Sequence, residues 1–213
     1  MRVFATSYRL LLSVAFLGSI VWQVTDRIAN NVFRPQEYFT FFTIDTSILA
    51  GLLMLVAATY SWRGAKEPLW FSRARLGVVT ASVIVAVVYN ALLRGLPPAA
   101  ADMGYEWPTV PNDILHIWAP LFLVVEWLIF APNKTLKWQA AFWAWAYPFA
   151  WLAFTLVRGA VDGWWPYFFI DPTDKGGVPG MLSYIFGIMA FMFIVASALL
   201  PLQRVSQRLV AAK

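Results

Sequence analysis

Six stretches of mostly apolar residues, each about long enough to cross a bilayer, constrain this chain more than anything else in it. A spanning helix needs about 20 such residues, because in hydrocarbon every backbone N–H and C=O must be satisfied within the protein. The stretches fall at about 6–25, 38–61, 75–96, 113–131, 138–158 and 179–202. No soluble domain is left over. The chain therefore reads as a single domain, 1–213, of the all-α class: a polytopic membrane protein built as a six-transmembrane-helix bundle. Composition agrees, since 13% of the residues are charged against about 25% in a soluble domain. The apolar run from Tyr8 to Val24 is too long for a typical cleaved signal and reads as a retained first span. No internal repeat is visible, which weakens a transporter built from inverted repeats.

Loop charges set the expected orientation. Eleven basic residues fall on one side: Arg2, Arg9, Arg63, Lys66, Arg73, Arg75, Lys134, Lys137, Arg204, Arg208 and Lys213. Five fall on the other: Arg27, Arg34, Arg94, Arg158 and Lys175. The positive-inside rule then puts both termini in the cytoplasm, with the long connections 97–112 and 159–178 facing out. The net charge of +5 does not point to nucleic acid, because the basic residues are spread through short loops rather than gathered in one patch. The segment from Asp162 to Asp171, rich in Trp, Tyr and Phe, resembles an aromatic stretch lying at headgroup level.

Ionisable groups within a span are costly and are functional candidates by default. The only histidine, His116, lies in the fourth span and is the one side chain whose ordinary pKa is near neutrality. With the expected topology, Thr43 on the second span lies about five residues deep, or roughly 8 Å. His116, Asn90, Arg94, Thr155 and Arg158 come to the same level, so nearly all the polar side chains of the spans are expected in one layer near the outer face. On the second span Thr40, Thr43, Ser47 and Gly51 share one face, a pattern that serves equally as a small-residue packing stripe. Asp45 points to the opposite face and needs a partner such as Arg94 or Arg158, or water. Pro120 has no N–H for the carbonyl of His116, so a kink is expected there, with a backbone acceptor that something else must satisfy. Asp113 is close enough to His116 along the helix to hold the imidazole in one tautomer. Glu126 lies about 15 Å further along and is expected to pair near the cytoplasmic side.

Cysteine is absent, which excludes disulfides, thiolate nucleophiles and thiolate metal sites. Gly-x-Ser-x-Gly, phosphate-loop and dinucleotide glycine patterns are missing too. No metal and no cofactor is expected.

Several segments resemble those of a known family, the androgen-induced and androgen-dependent integral membrane proteins and their bacterial relatives. They are Thr40-Phe-Phe-Thr43-Ile-Asp-Thr-Ser-Ile-Leu, Leu115-His116 with Pro120 and Glu126-Trp127, Trp145-Ala-Tyr147-Pro148, Leu156-Val-Arg158-Gly159, and Trp165-Pro-Tyr167-Phe-Phe-Ile-Asp171. The likeness covers about 38–200, and its specificity lies in the order and spacing of the motifs. The characterised animal members are multipass hydrolases of fatty acid esters of hydroxy fatty acids. The resemblance implies an intramembrane carboxylic ester hydrolase with Thr43 as nucleophile and His116 as base, acting on a lipid ester in a bacterial inner membrane. Thr40, in a similar aromatic context, is the alternative nucleophile. In that mechanism Asp113 orients His116, and Asn90, Arg94 and Arg158 are candidates for binding a fatty-acid carboxylate or stabilising the oxyanion. The rival readings are a non-catalytic lipid-binding scaffold and a small transporter relaying protons through Asp45 and Glu126. Natural substrate and oligomeric state are not legible.

Overall fold

A computed structural model describes residues 1–97, 102–132 and 134–211, with the side chains of those up to residue 207. Among the described residues, six helices are long and apolar enough to cross a membrane. We label them α1 (Arg2–Ala29), α2 (Phe42–Arg63), α3 (Leu69–Leu93), α4 (Thr109–Ile129), α5 (Ala140–Asp162) and α6 (Gly177–Ala211). No strand occurs among the described residues. The protein is an all-α bundle of the expected class. Part of the 97–112 connection, and the side chains of Arg208 and Lys213 counted in the charge bias, lie outside the described residues.

The helices bury one face each. Leu12, Phe16 and Ile20 of α1 recur at a spacing of four and pack into a core with Ala50, Met54 and Ala57 of α2. α1 and α2 approach closely at Gly51, where a Cβ would fall 2.6 Å from Leu17. The small-residue stripe of α2 is therefore a packing face at that level. α3 is the central helix and touches α2, α4, α5 and α6. Large apolar side chains such as Leu11, Val14, Phe154, Phe186 and Ile194 are left exposed, which forms the apolar girdle a bilayer requires.

Several boundaries differ from those expected. α2 starts at Phe42, not near Tyr38, because a separate helical turn, Pro35–Tyr38, precedes it. Thr43 is thus in the first turn of α2, and Thr40 lies in the connection rather than on the helix face. α6 runs on through Pro201 to Ala211. Within the aromatic 162–171 segment, Phe169 and Ile170 are buried against the bundle. Trp165 lies against Gly159, where no side chain could fit beside its ring.

The larger correction concerns charge. Arg9 and Arg75 are not loop cations. They are buried with Glu67 and Glu126 in a four-charge cluster joining α1, α2, α3 and α4. Arg9 donates to Glu126 (2.7 Å), to the Ala57 carbonyl (2.9 Å) and to Ser61 (2.6 Å). Arg75 donates to both carboxylates, at 2.7 Å from each, and to the Phe130 carbonyl (3.0 Å). Glu126 is paired at this end as expected, but deep among helices. Charged groups within the bundle therefore occupy two layers. Along α2 the layers are marked by Thr43 and Ser61, roughly 27 Å apart at 1.5 Å per residue, close to the roughly 30 Å of a hydrocarbon core.

Candidate functional site

A cavity of about 70 Å³ lies near the Thr43 end of the bundle. Its walls are almost wholly apolar: Ile84, Val85 and Val88 of α3, Leu152 of α5, and Ile188 and Met192 of α6. The hydroxyl-bearing side chains along its wall are those of Thr43, Tyr89 and Tyr167. Thr43 is 8% exposed. The Tyr167 oxygen lies beside the Thr43 hydroxyl and beside the backbone N–H groups of Phe42 and Thr43, which the first turn of α2 leaves without intrahelical partners and which point toward that oxygen. Burial pushes this phenol up to about 12, partly offset by those polar neighbours, so Tyr167 keeps its proton at neutral pH and can donate it in a hydrogen bond. Sequence reasoning placed Tyr167 in an interfacial stretch and missed this role. Gly159, by admitting the Trp165 ring, is the local signal that the stretch folds inward.

His116 sits one ring back from the cavity. Its ring stacks on Tyr89 with centroids 3.7 Å apart and planes 23° from parallel, and it is not part of the wall. Thr43 and His116 make no hydrogen bond with one another. The Nδ1 atom of His116 lies 2.8 Å from the carbonyl of Asn112. A carbonyl only accepts, so Nδ1 carries the proton and Nε2 is the basic nitrogen. Asn112 also donates its side-chain amide to the Tyr89 hydroxyl (2.7 Å) and so holds both stacked rings. The expected orienter, Asp113, instead pairs with Arg94 at 3.3 Å in a half-exposed position. Asn112 precedes His116 by one helical turn, the position from which a backbone carbonyl reaches a side chain.

The backbone around His116 is irregular, as Pro120 requires. Ile114–Trp118 and Tyr89–Leu93 are both π-turns, and such bulges frequently occur at functional sites. Asn90 donates to the His116 carbonyl at 3.2 Å, supplying a hydrogen bond that Pro120 cannot. Asn90 also accepts from Arg94 at 2.8 Å. Asn90 and Arg94 therefore brace the histidine turn, and neither lines the cavity.

The remaining candidates disperse. Arg158 pairs with Asp162 (2.9 Å), donates to Thr40 and to the Gln36 carbonyl, and lies over the Trp164 ring. Thr40 itself donates to the Gln36 carbonyl at 2.7 Å and lies outside the cavity wall. Ser47 is buried in the bundle. Asp45 is half-buried and makes no ion pair among the described residues; Arg94 and Arg158, its expected partners, are engaged by Asp113 and Asp162. Among the described residues no group of His, Asp and Glu could hold a metal ion. Comparison of the chain with family models, with curated proteins and with solved structures finds no match.

Proposed function

We propose that the protein is an intramembrane hydrolase of lipid esters, such as fatty acid esters of hydroxy fatty acids, with Thr43 as nucleophile and His116 as base. The observation that carries this reading is the chemistry of the cavity: apolar walls for an acyl chain, and a hydroxyl, Thr43, beside a second donor, Tyr167, at the α2 N-terminus. The motif resemblance supports the same pair of residues. In the first step the Thr43 oxygen bonds to the ester carbon, and His116 Nε2 takes the hydroxyl proton. Tyr167 and the α2 amides stabilise the oxyanion, helped by the partial positive charge of the helix start. Collapse breaks the bond to the hydroxy-lipid oxygen, which receives the proton from His116. Water then cleaves the acyl-threonine by the same proton path. For His116 to reach Thr43, the Tyr89 ring turns aside as substrate enters. Catalytic hydrogen bonds are often incomplete before substrate binds. The cavity is small, so a long chain enters laterally by parting the apolar side chains of α5 and α6.

The orientation belongs to the same proposal: a bacterial inner membrane with both termini cytoplasmic. Removing the buried Arg9, Arg75 and Arg27 from the loop charges leaves nine basic residues against four, so the bias remains. A transporter relaying protons through Glu126 is disfavoured, because two arginines hold that carboxylate. The second reading is a non-catalytic lipid-binding protein, favoured by the separation of His116 from the cavity. A fluorophosphonate probe on the purified protein, with the labelled peptide read by mass spectrometry, separates the two. Labelling at Thr43 that disappears in His116→Ala is the expected result. Absence of labelling, with no turnover of long-chain esters, favours the lipid-binding protein.

A further inference from the structure

At the opposite end of the bundle a groove of about 400 Å³ runs between the start of α1 and the end of α2. Val3, Leu10, Leu55 and Trp62 line it, and all four are substantially exposed. Two of its hydroxyls are spent within their own helices: Thr6 donates to the Arg2 carbonyl and Thr59 to the Val56 carbonyl, at 2.9 and 2.8 Å. Apart from the exposed Ser7 hydroxyl, what remains is a trough of alkyl and indole surface running along the helices. Its volume falls in the range of ligand sites, about 300–1,000 Å³.

The rim of the groove is cationic. Arg63 lines it, and the Arg2 guanidinium lies over Gly64 where α2 ends. Both arginines are exposed, and neither has an ion-pair partner among the described residues. The reason lies in the buried cluster. The acidic side chains at this end of the chain are Glu67 and Glu126, and both are enclosed with Arg9 and Arg75. No carboxylate side chain is left to neutralise the rim. A second copy of this chain docked on the same face would oppose Arg63 to Arg63.

We propose that this groove binds one anionic phospholipid, with an acyl chain along Val3, Leu10, Leu55 and Trp62 and the phosphate on Arg2 and Arg63. Trp62, at the level of the cations, takes the boundary position between chain and headgroup. The site is separate from the Thr43 cavity and does not depend on the hydrolase reading.

The test uses detergent-purified full-length protein titrated with phosphatidylglycerol or phosphatidylcholine of identical acyl chains, read by native mass spectrometry. One phosphatidylglycerol per chain is expected to be retained in preference to phosphatidylcholine. One cation near an anionic lipid contributes about fivefold in binding, so Arg2→Gln with Arg63→Gln should weaken phosphatidylglycerol about thirtyfold and phosphatidylcholine, whose choline offsets its phosphate, much less. Thr59→Trp, which fills the groove and keeps both cations, should remove the bound lipid. Leu10→Trp is the second filling variant if the first does not fold. Equal binding of the two lipids overturns the proposal. So does undiminished binding to the filled groove, displacement of the lipid by inorganic phosphate alone, or a dimer that forms through this face in the absence of lipid.

Discussion

The two polar layers of this bundle differ in what their side chains face. At the basic end, Arg9, Glu67, Arg75 and Glu126 face one another, and each carboxylate meets both arginines. The cluster joins four helices and leaves no carboxylate reaching a cavity. The other end also holds a buried ion pair, Arg27 with Asp102, but there the Thr43 and Tyr167 hydroxyls meet an apolar cavity, while Asn90 and Asn112 brace rings and turns. Burying charge is tolerable only when pairing is nearly complete. A hydroxyl carries no such demand, so it can stand at a cavity wall and remain available to a ligand. The first layer holds the fold, and the second is where chemistry is proposed.

Substitutions at five positions break or sharpen that contrast. The largest effect is expected at the nucleophile. Thr43→Ala should reduce ester turnover about 10⁴-fold or more with little change in melting temperature, His116→Ala should do the same, and the double variant should lose no more than either. Thr43→Ser should keep some activity. Full turnover in Thr43→Ala would leave water activated by His116 as the nucleophile, since the Thr40 hydroxyl is tied to Gln36 and Arg158 away from the cavity. Next comes Glu126→Gln, which leaves two arginines sharing one carboxylate. A loss of about 3–5 kcal/mol is expected in unfolding assays, with turnover per folded molecule unchanged. Lost turnover in a fully stable protein would place Glu126 in the chemistry and erase the distinction between the layers. Tyr167→Phe removes one donor from the oxyanion position. It should lower kcat about 100-fold, or about 2.7 kcal/mol, while the aromatic packing against Phe41 and Phe169 persists. A change in KM alone would reassign Tyr167 to binding. The smallest effect is expected for Asp113→Asn, because the exposed pair with Arg94 contributes about 1 kcal/mol or less. A large drop in kcat there would return the orienting role from the Asn112 carbonyl to Asp113.

The fit between sequence and structure follows the range of the interactions involved. Pro120 is a local fact: a missing N–H leaves the His116 carbonyl short of a partner, and that need is readable from the order of residues alone. Which group supplies it is not local. Asn90 comes from a different helix, 26 residues back. The sequence reading names Asp113 as partner of His116, although the Asn112 carbonyl lies within a turn of the ring as well. The direction taken by the ring, stacked on Tyr89, decided between them.

By itself the sequence determined that six apolar segments must be helices in a membrane, because the bilayer supplies no other partner for a backbone. It also determined that the one histidine sits beside a disrupted turn. Only the tertiary structure decided that Arg9 and Arg75, which look like loop cations, belong inside the bundle. Their carboxylates come from positions 8 to 117 residues away, and such pairings arise only when helices dock. Docking likewise turned an aromatic surface stretch inward and brought Tyr167 to Thr43. Periodicity fixes which face of a helix is apolar, and docking fixes what that face meets.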